Sequence, residues 1–233
     1  MKFLMAIVII SQSFLASANS ITQIVDYGND GTPVTAVPDE GYHFTEWSDH
    51  RTDNPRTDLN VNENISVTAY FEINRYNILF LTDGTEGSSI SGETSQIINY
   101  NQNSSPVTVI SPEGYHFKNW TLSNIEFSTS ETISLINIKQ DYTLVANFEI
   151  NTYTLNYFSG ENGHLEGETE QRVQFNNDAT TITAISNKGY LFDRWSDNIF
   201  SNIRQDKNIK NDIFVMAYFK YDGTKVKNWN KYY

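Results

Sequence analysis

Four histidines, His43, His50, His116 and His164, are the first residues to test for chemistry, because the chain has no cysteine. Thiol catalysis, disulfides and Cys-ligated zinc are therefore excluded. His43 and His116 stand at equivalent places in two copies of one motif, and the third copy carries Leu191 there. A catalytic or metal-binding role shared by the copies does not survive that replacement, so the motif histidines read as structural or surface groups. Carboxylates gather in the segment Asp49, Asp53 and Asp58, which reads as an exposed loop. The stretch Asp26-Tyr27-Gly28-Asn29-Asp30-Gly31 has a faint likeness to a calcium loop. Val37 stands where an EF-hand needs its twelfth-position acid, so a polar turn is the preferred reading and calcium the alternative. HExxH, GxSxG, P-loop and GxGxxG patterns do not occur. The expectation is a protein without catalytic residues and without a cofactor.

The elements that carry these residues are repeated. TPVTAVPDEGYHFTEWSD (32–49), SPVTVISPEGYHFKNWTL (105–122) and TTITAISNKGYLFDRWSD (180–197) are copies of one block. Each is followed by an alternating segment, ISVTAYFEIN (65–74), YTLVANFEIN (142–151) or IFVMAYFKYD (213–222). Each is preceded by ITQIVDYG (21–28), TSQIINYN (94–101) or TEQRVQFN (169–176). Three blocks recurring in one order settle the architecture before any finer reading. Period-two alternation predicts a half-buried strand in each alternating segment, with Phe71, Phe148 and Phe219 inward and Tyr70 and Tyr218 outward. Tyr76–Leu81 and Tyr153–Phe158 lead into Gly-rich turns, as tight hairpins require. Gly41, Gly114 and Gly189 follow turn residues and are expected at positive φ. Phe44, Phe117 and Phe192 each precede a Trp by three places, which breaks strict alternation and predicts a bulge. With Trp47, Trp120 and Trp195 these aromatics form the expected core. No sustained 3.6-residue period is present. The fold class is therefore mainly β (a small α+β unit being the alternative), in modules of about 75 residues. Units that small bury only about 60% of their unfolded surface, so large aromatics must carry much of their stability.

The N-terminus has one Lys, the unbroken apolar run Phe3–Ile10 and a small-residue A-x-A site at Ala16–Ala18. That is the pattern of a secretory signal, and its apolar run is shorter than the roughly 20 residues of a membrane span. The expected organisation is 1–18 signal peptide, 19–73 repeat 1, 74–150 repeat 2, 151–220 repeat 3 and 221–233 tail. By this division repeat 1 lacks a first strand after cleavage. Phe3–Val8 would fall without a gap where Tyr76–Leu81 lies in repeat 2. The opening so created could accept a strand from the tail or from another chain. The links Glu72–Arg75 and Glu149–Thr152 are short and not Gly/Ser-rich, which predicts stiff connections.

The blocks SGETSQ (91–96), VTAVPDEGYHFTEWSD (34–49) and ISVTAYFE (65–72) resemble the divergent internalin-type B-repeat family of bacterial extracellular domains. The resemblance covers nearly all of 20–220. It implies a compact β-grasp-like module, used in tandem on secreted and cell-surface proteins as a spacer or interaction domain, with no catalytic residues to carry over. Leu191 and Asn187 in repeat 3 depart from the pattern without touching the aromatic frame.

The net charge of −12 and the pI near 4.7 argue against nucleic acid and anionic membranes as partners. A protein or glycan partner and strand-edge self-association remain. Tyr70, Tyr218, His50, Arg51 and Trp229 are the candidate contact residues. The function expected is a non-enzymatic secreted or cell-surface repeat protein acting as a spacer or adhesion-type module. The alternatives are a carbohydrate-binding module or a fragment of a larger adhesin.

Overall fold

The computed structural model describes residues 3–9 and 20–223. The described residues form strands and turns with no helix, hence none long and apolar enough to cross a membrane. The first repeat holds β1 (Phe3–Ile9), β2 (Ser20–Asp26), β3 (Tyr42–Trp47) and β4 (Ser66–Ile73). The second holds β5 (Arg75–Thr82), β6 (Ser89–Ser91), β7 (Ser95–Asn99), β8 (Val107–Ile110), β9 (Tyr115–Leu122), β10 (Ile125–Ser128), β11 (Thr132–Ile133) and β12 (Tyr142–Ile150). The third holds β13 (Thr152–Ser159), β14 (Gly163–Glu166), β15 (Glu170–Gln174), β16 (Ile182–Ser186), β17 (Tyr190–Trp195), β18 (Ile203–Arg204) and β19 (Ile213–Tyr221).

One strand order recurs. The main sheets run β2-β1-β4-β3, β7-β5-β12-β9-β10 and β15-β13-β19-β17. The central pair is parallel in the outer two repeats, β1 with β4 and β13 with β19, while the flanking pairs are antiparallel. This mixed sheet is the β-grasp-like arrangement. A second, smaller layer covers it. In repeat 2 that layer is β11-β8-β6, in repeat 3 it is β14-β16-β18, and in repeat 1 it is reduced to one bridge between Val34 and Arg56.

The core sits between the two layers and is built on one Trp per repeat. Trp47, Trp120 and Trp195 are all fully buried. The ladder shifts by one between Phe44 and Glu46, and again between Phe192 and Arg194. This is the bulge that lets a Phe and a Trp three places apart reach one core. Phe44, Phe117 and Phe192 lie 5.5–6.0 Å from their Trp rings and 6.0–6.1 Å from Phe71, Phe148 and Phe219. These are tilted and edge-on pairs of the kind aromatic quadrupoles favour.

A buried or half-buried glutamine explains another recurring residue. Gln96 donates to the Glu93 and Ser105 carbonyls and accepts from the Ser105 N–H. Gln171 does the same with Glu168 and Thr180, and Gln23 clamps both backbone groups of Thr32. Each amide pairs with backbone groups where the chain leaves the sheet, in place of a strand partner.

In the full chain the apolar run is strand one of repeat 1. Its register differs from the gapless expectation. Val8 stands opposite Val67 as Tyr157 stands opposite Val215. By that ladder Leu4, not Phe3, corresponds to Tyr76. A one-residue slip exchanges the two faces of a strand, so the ladder rather than the count from Met1 fixes the correspondence.

By compactness the chain divides into two units that cut through the middle repeat. One comprises Met1–Leu81, Ile90–Thr108 and Thr121–Val145, and the other Thr82–Ser89, Val109–Trp120 and Ala146–Tyr233.

Candidate functional site: the Trp loops, the joints and the exposed residues

Behind each Trp a loop returns to the small layer, and in the outer repeats that loop carries a buried arginine. Arg56 is 3% exposed. It binds Asp49 through two N–H···O bonds of 2.8 Å, and Asp58 through Nη2 at 2.7 Å and Nε at 3.0 Å. Its guanidinium lies 5.5 Å from the centre of the Trp47 ring. Arg204 repeats the arrangement. It donates to Asp197 at 2.9 Å and to both oxygens of Asp206 at 2.7 Å, and it lies 5.4 Å from the Trp195 ring centre. The Trp indole N–H groups cap the same loops, donating to the Asp53 and Ser201 carbonyls at 2.9 Å.

The electrostatics follow from burial and pairing. Burial pulls the Arg56 and Arg204 guanidiniums down, but the hydrogen bonds they donate to their two aspartates outweigh it and both stay above the ordinary arginine value. Hydrogen bonding to Arg56 holds Asp49 below the usual carboxylate range. In repeat 3 the Tyr157 hydroxyl donates to Asp206 at 2.7 Å. Burial first, and then this carboxylate, push the phenol above its ordinary value. A charge buried in this way serves structure: every nitrogen of each guanidinium donates to an aspartate of its own loop. Of the carboxylates read from sequence as an exposed loop, Asp49 and Asp53 are exposed and Asp58 is half-buried, and Asp49 and Asp58 wall the guanidinium of Arg56.

The middle repeat has the same position without the charge. Ile133 pairs with Val107 as Arg204 pairs with Ile182 and Arg56 with Val34. Ile133 and, two places on, Leu135 are buried, where the outer repeats have Arg56 and Asp58 or Arg204 and Asp206. Leu122 stands two residues after Trp120, as Asp49 and Asp197 stand after their Trp residues.

The joints between repeats form a second recurring site. The strand of one repeat passes to the next through a single residue, Asn74 or Asn151. The Asn74 N–H donates to the Gly41 carbonyl, and the Asn74 carbonyl accepts from the Tyr100 N–H, both at 2.8 Å. Asn151, Gly114 and Phe175 repeat this at 2.8 Å. The histidines belong here: His43 and His116 each place Nδ1 2.8 Å from the Oδ1 of the joint Asn. Since that oxygen only accepts, Nδ1 carries the proton. Gly41 and Gly114 take φ of +84° and +81°, and a Cβ on either would lie 2.1 Å from the Tyr100 or Phe175 ring. A lysine covers each ring, Lys139 at 5.1 Å and Lys210 at 5.2 Å, and pairs with Glu40 or Glu113. The Tyr100 hydroxyl also donates to Glu40, and this bond, with Lys139, lowers the Glu40 carboxyl below its ordinary range.

The remaining sequence candidates scatter. Tyr70 and Tyr218 are exposed, the latter under the Arg194 guanidinium at 5.4 Å. His50 is exposed at positive φ and contacts Glu46 at 3.1 Å. Arg51 donates to Asp53, Asp58 and the Thr57 carbonyl of its own loop. Trp229 lies outside the described residues. The calcium-like stretch is a turn whose Asp30 carboxylate accepts the Asn60 N–H, as Asn103 and Asp178 accept from Asn137 and Asn208. No group of three metal-ligating side chains occurs among the described residues.

Sequence reasoning missed Arg56 and Arg204. The signal was present, as Asp-x6-Arg-x-Asp two residues after the Trp in both outer repeats. A longer loop in repeat 2 hid the alignment. A family model for the divergent InlB B-repeat domain matches this chain three times, over residues 16–75, 80–152 and 153–223.

Proposed function

Because the chain belongs to the divergent InlB B-repeat domain family, we propose that it is an exported, non-enzymatic repeat protein that acts as an extracellular spacer and interaction module. The observation that carries this reading is the joint. Each link is one residue long and is tied by backbone bonds, a His–Asn bond and a lysine–glutamate pair. A connection of this kind restricts the orientation of the repeats it joins, as a spacer requires. The recurring aromatics are consumed by the cores, and the buried ions are consumed by the Trp loops. Export rests on the N-terminal charge, apolar run and Ala16–Ala18 site.

Two measurements test the reading. The chain has no cysteine, so a pair of spin labels can be placed on engineered cysteines in repeats 1 and 2 without background. Pulsed-EPR distances should be narrowly distributed; a distribution as broad as a flexible tether's would remove the spacer role. N-terminal sequencing of protein from the medium of an expressing bacterial host should begin at Asn19. Protein kept inside the cell with Met1 intact would remove export.

A further inference from the structure

The sheet order places strand one inside the sheet, between β2 and β4, and not at its margin. Removal of Phe3–Ile9 would therefore strip β2 of its antiparallel partner and β4 of its parallel one. In repeat 3 the described residues show half of such a joint. The Asp222 N–H donates to the Gly189 carbonyl at 2.9 Å, as Asn74 and Asn151 do to Gly41 and Gly114. Gly189 has the same left-handed φ, +86°, yet nothing among the described residues lies within 4 Å of where its Cβ would be. The ring that fills this saddle at the internal joints is Tyr100 or Phe175, and its counterpart in repeat 1, Tyr27, is 69% exposed. At each internal joint the residues after Asn74 or Asn151 enter strand one of the following repeat at once.

We propose, resting on the export reading above, that in the processed chain a second copy supplies the missing strand. Segment 224–229 of one copy enters between β2 and β4 of the next, and Tyr27 of that next copy seats on Gly189. In sequence the segment sets Thr224, Val226 and Asn228 on one parity and Lys225, Lys227 and Trp229 on the other, with Val226 the apolar residue of the first. Counted from Asp222 as the joint residue, Val226 takes the place of Ile78 and Leu155, both fully buried. The donor is cationic and the chain as a whole is acidic, with a net charge of −12, so the approach is electrostatically favoured. The union is heterologous, one end of a copy against the other end of the next, and so propagates or closes into a ring. In the unprocessed chain Phe3–Ile9 fills the position from within and blocks assembly before export.

Sedimentation of two versions tests this: the full chain, and the chain beginning at Asn19. The full chain should sediment as a monomer. The chain from Asn19 should associate with increasing concentration, and Tyr27→Ala and Val226→Asp should each weaken association by about tenfold or more, as loss of a central interface anchor does. A monomer at every concentration, or assemblies indifferent to both substitutions, would overturn the proposal. The two readings fail separately: the N-terminus found in the medium decides export, while the behaviour of the chain from Asn19 decides donor-strand assembly.

Discussion

The outer repeats and the middle repeat solve one packing problem with opposite chemistry. Next to Trp47 and Trp195 the outer repeats bury an arginine clamped by two aspartates. At the corresponding places the middle repeat has Leu122, Ile133 and Leu135. The change is concerted. Tyr157, whose hydroxyl needs Asp206, is matched in repeat 2 by Phe80, which has no hydroxyl, where the acid has become Leu135. A buried ion cluster and an apolar set of similar volume are near-equivalent in energy, because desolvation cancels most of the Coulombic gain. A half-converted cluster is not equivalent, since it strands a charge in a low dielectric. The lesson is that the cluster belongs to the scaffold.

Breaking the cluster from one side should give the largest effect. Arg204→Ile alone leaves Asp197 and Asp206 facing each other and should cost about 3–5 kcal/mol, read as a fall in denaturation midpoint. Ile133→Arg, the reverse error in repeat 2, should cost a similar amount. Trp120→Ala should also cost about 3–5 kcal/mol, through the cavity it leaves and with no charge stranded.

The joints sharpen the comparison at smaller scale. Gly189→Ala meets only the left-handed φ and should cost about 1–2 kcal/mol. Gly114→Ala meets that strain and the Phe175 ring as well, and should cost about 1–3 kcal/mol more. If the two glycines respond alike by thermal melting, the filled joint is not what sets the Gly114 turn. Lys210→Ala, which removes an exposed pair, should change stability by no more than about 1 kcal/mol.

Acid offers a way to separate the repeats without mutation. Asp49 is held below its ordinary value of 3.8 by Arg56. Its contribution is present above that ordinary value and is lost as pH falls through the depressed one. Hydrogen exchange followed peptide by peptide should therefore show the loop behind Trp47 losing protection below about pH 4 before the loop behind Trp120, where Leu122, Ile133 and Leu135 have nothing to protonate. Equal losses in both would contradict the ionic account of repeat 1.

The sequence carried the strands, the bulge and the Trp frame because alternation and repetition are local signals. Phe44 and Trp47 cannot share a face without an extra residue, and the ladder shows one. It carried the structural reading of His43 and His116 through Leu191, though not their bonds to Asn74 and Asn151. Those depend on a residue 31 or 35 places away, and nothing local marks the pairing. Arg56 was hidden for a different reason. An arginine in a polar loop is ordinarily exposed, and only the return of that loop under Trp47 buries it. The register of Phe3–Ile9 was missed by one residue because a count along the chain cannot see which face a ladder selects.

The most direct measurement converts one solution into the other. A chain carrying Tyr157→Phe, Asp197→Leu, Arg204→Ile and Asp206→Leu together should melt at or above the temperature of the parent, recovering the whole loss seen in Arg204→Ile alone. A fourfold variant that remains as unstable as the single substitution would show that the outer and middle repeats are not the same scaffold.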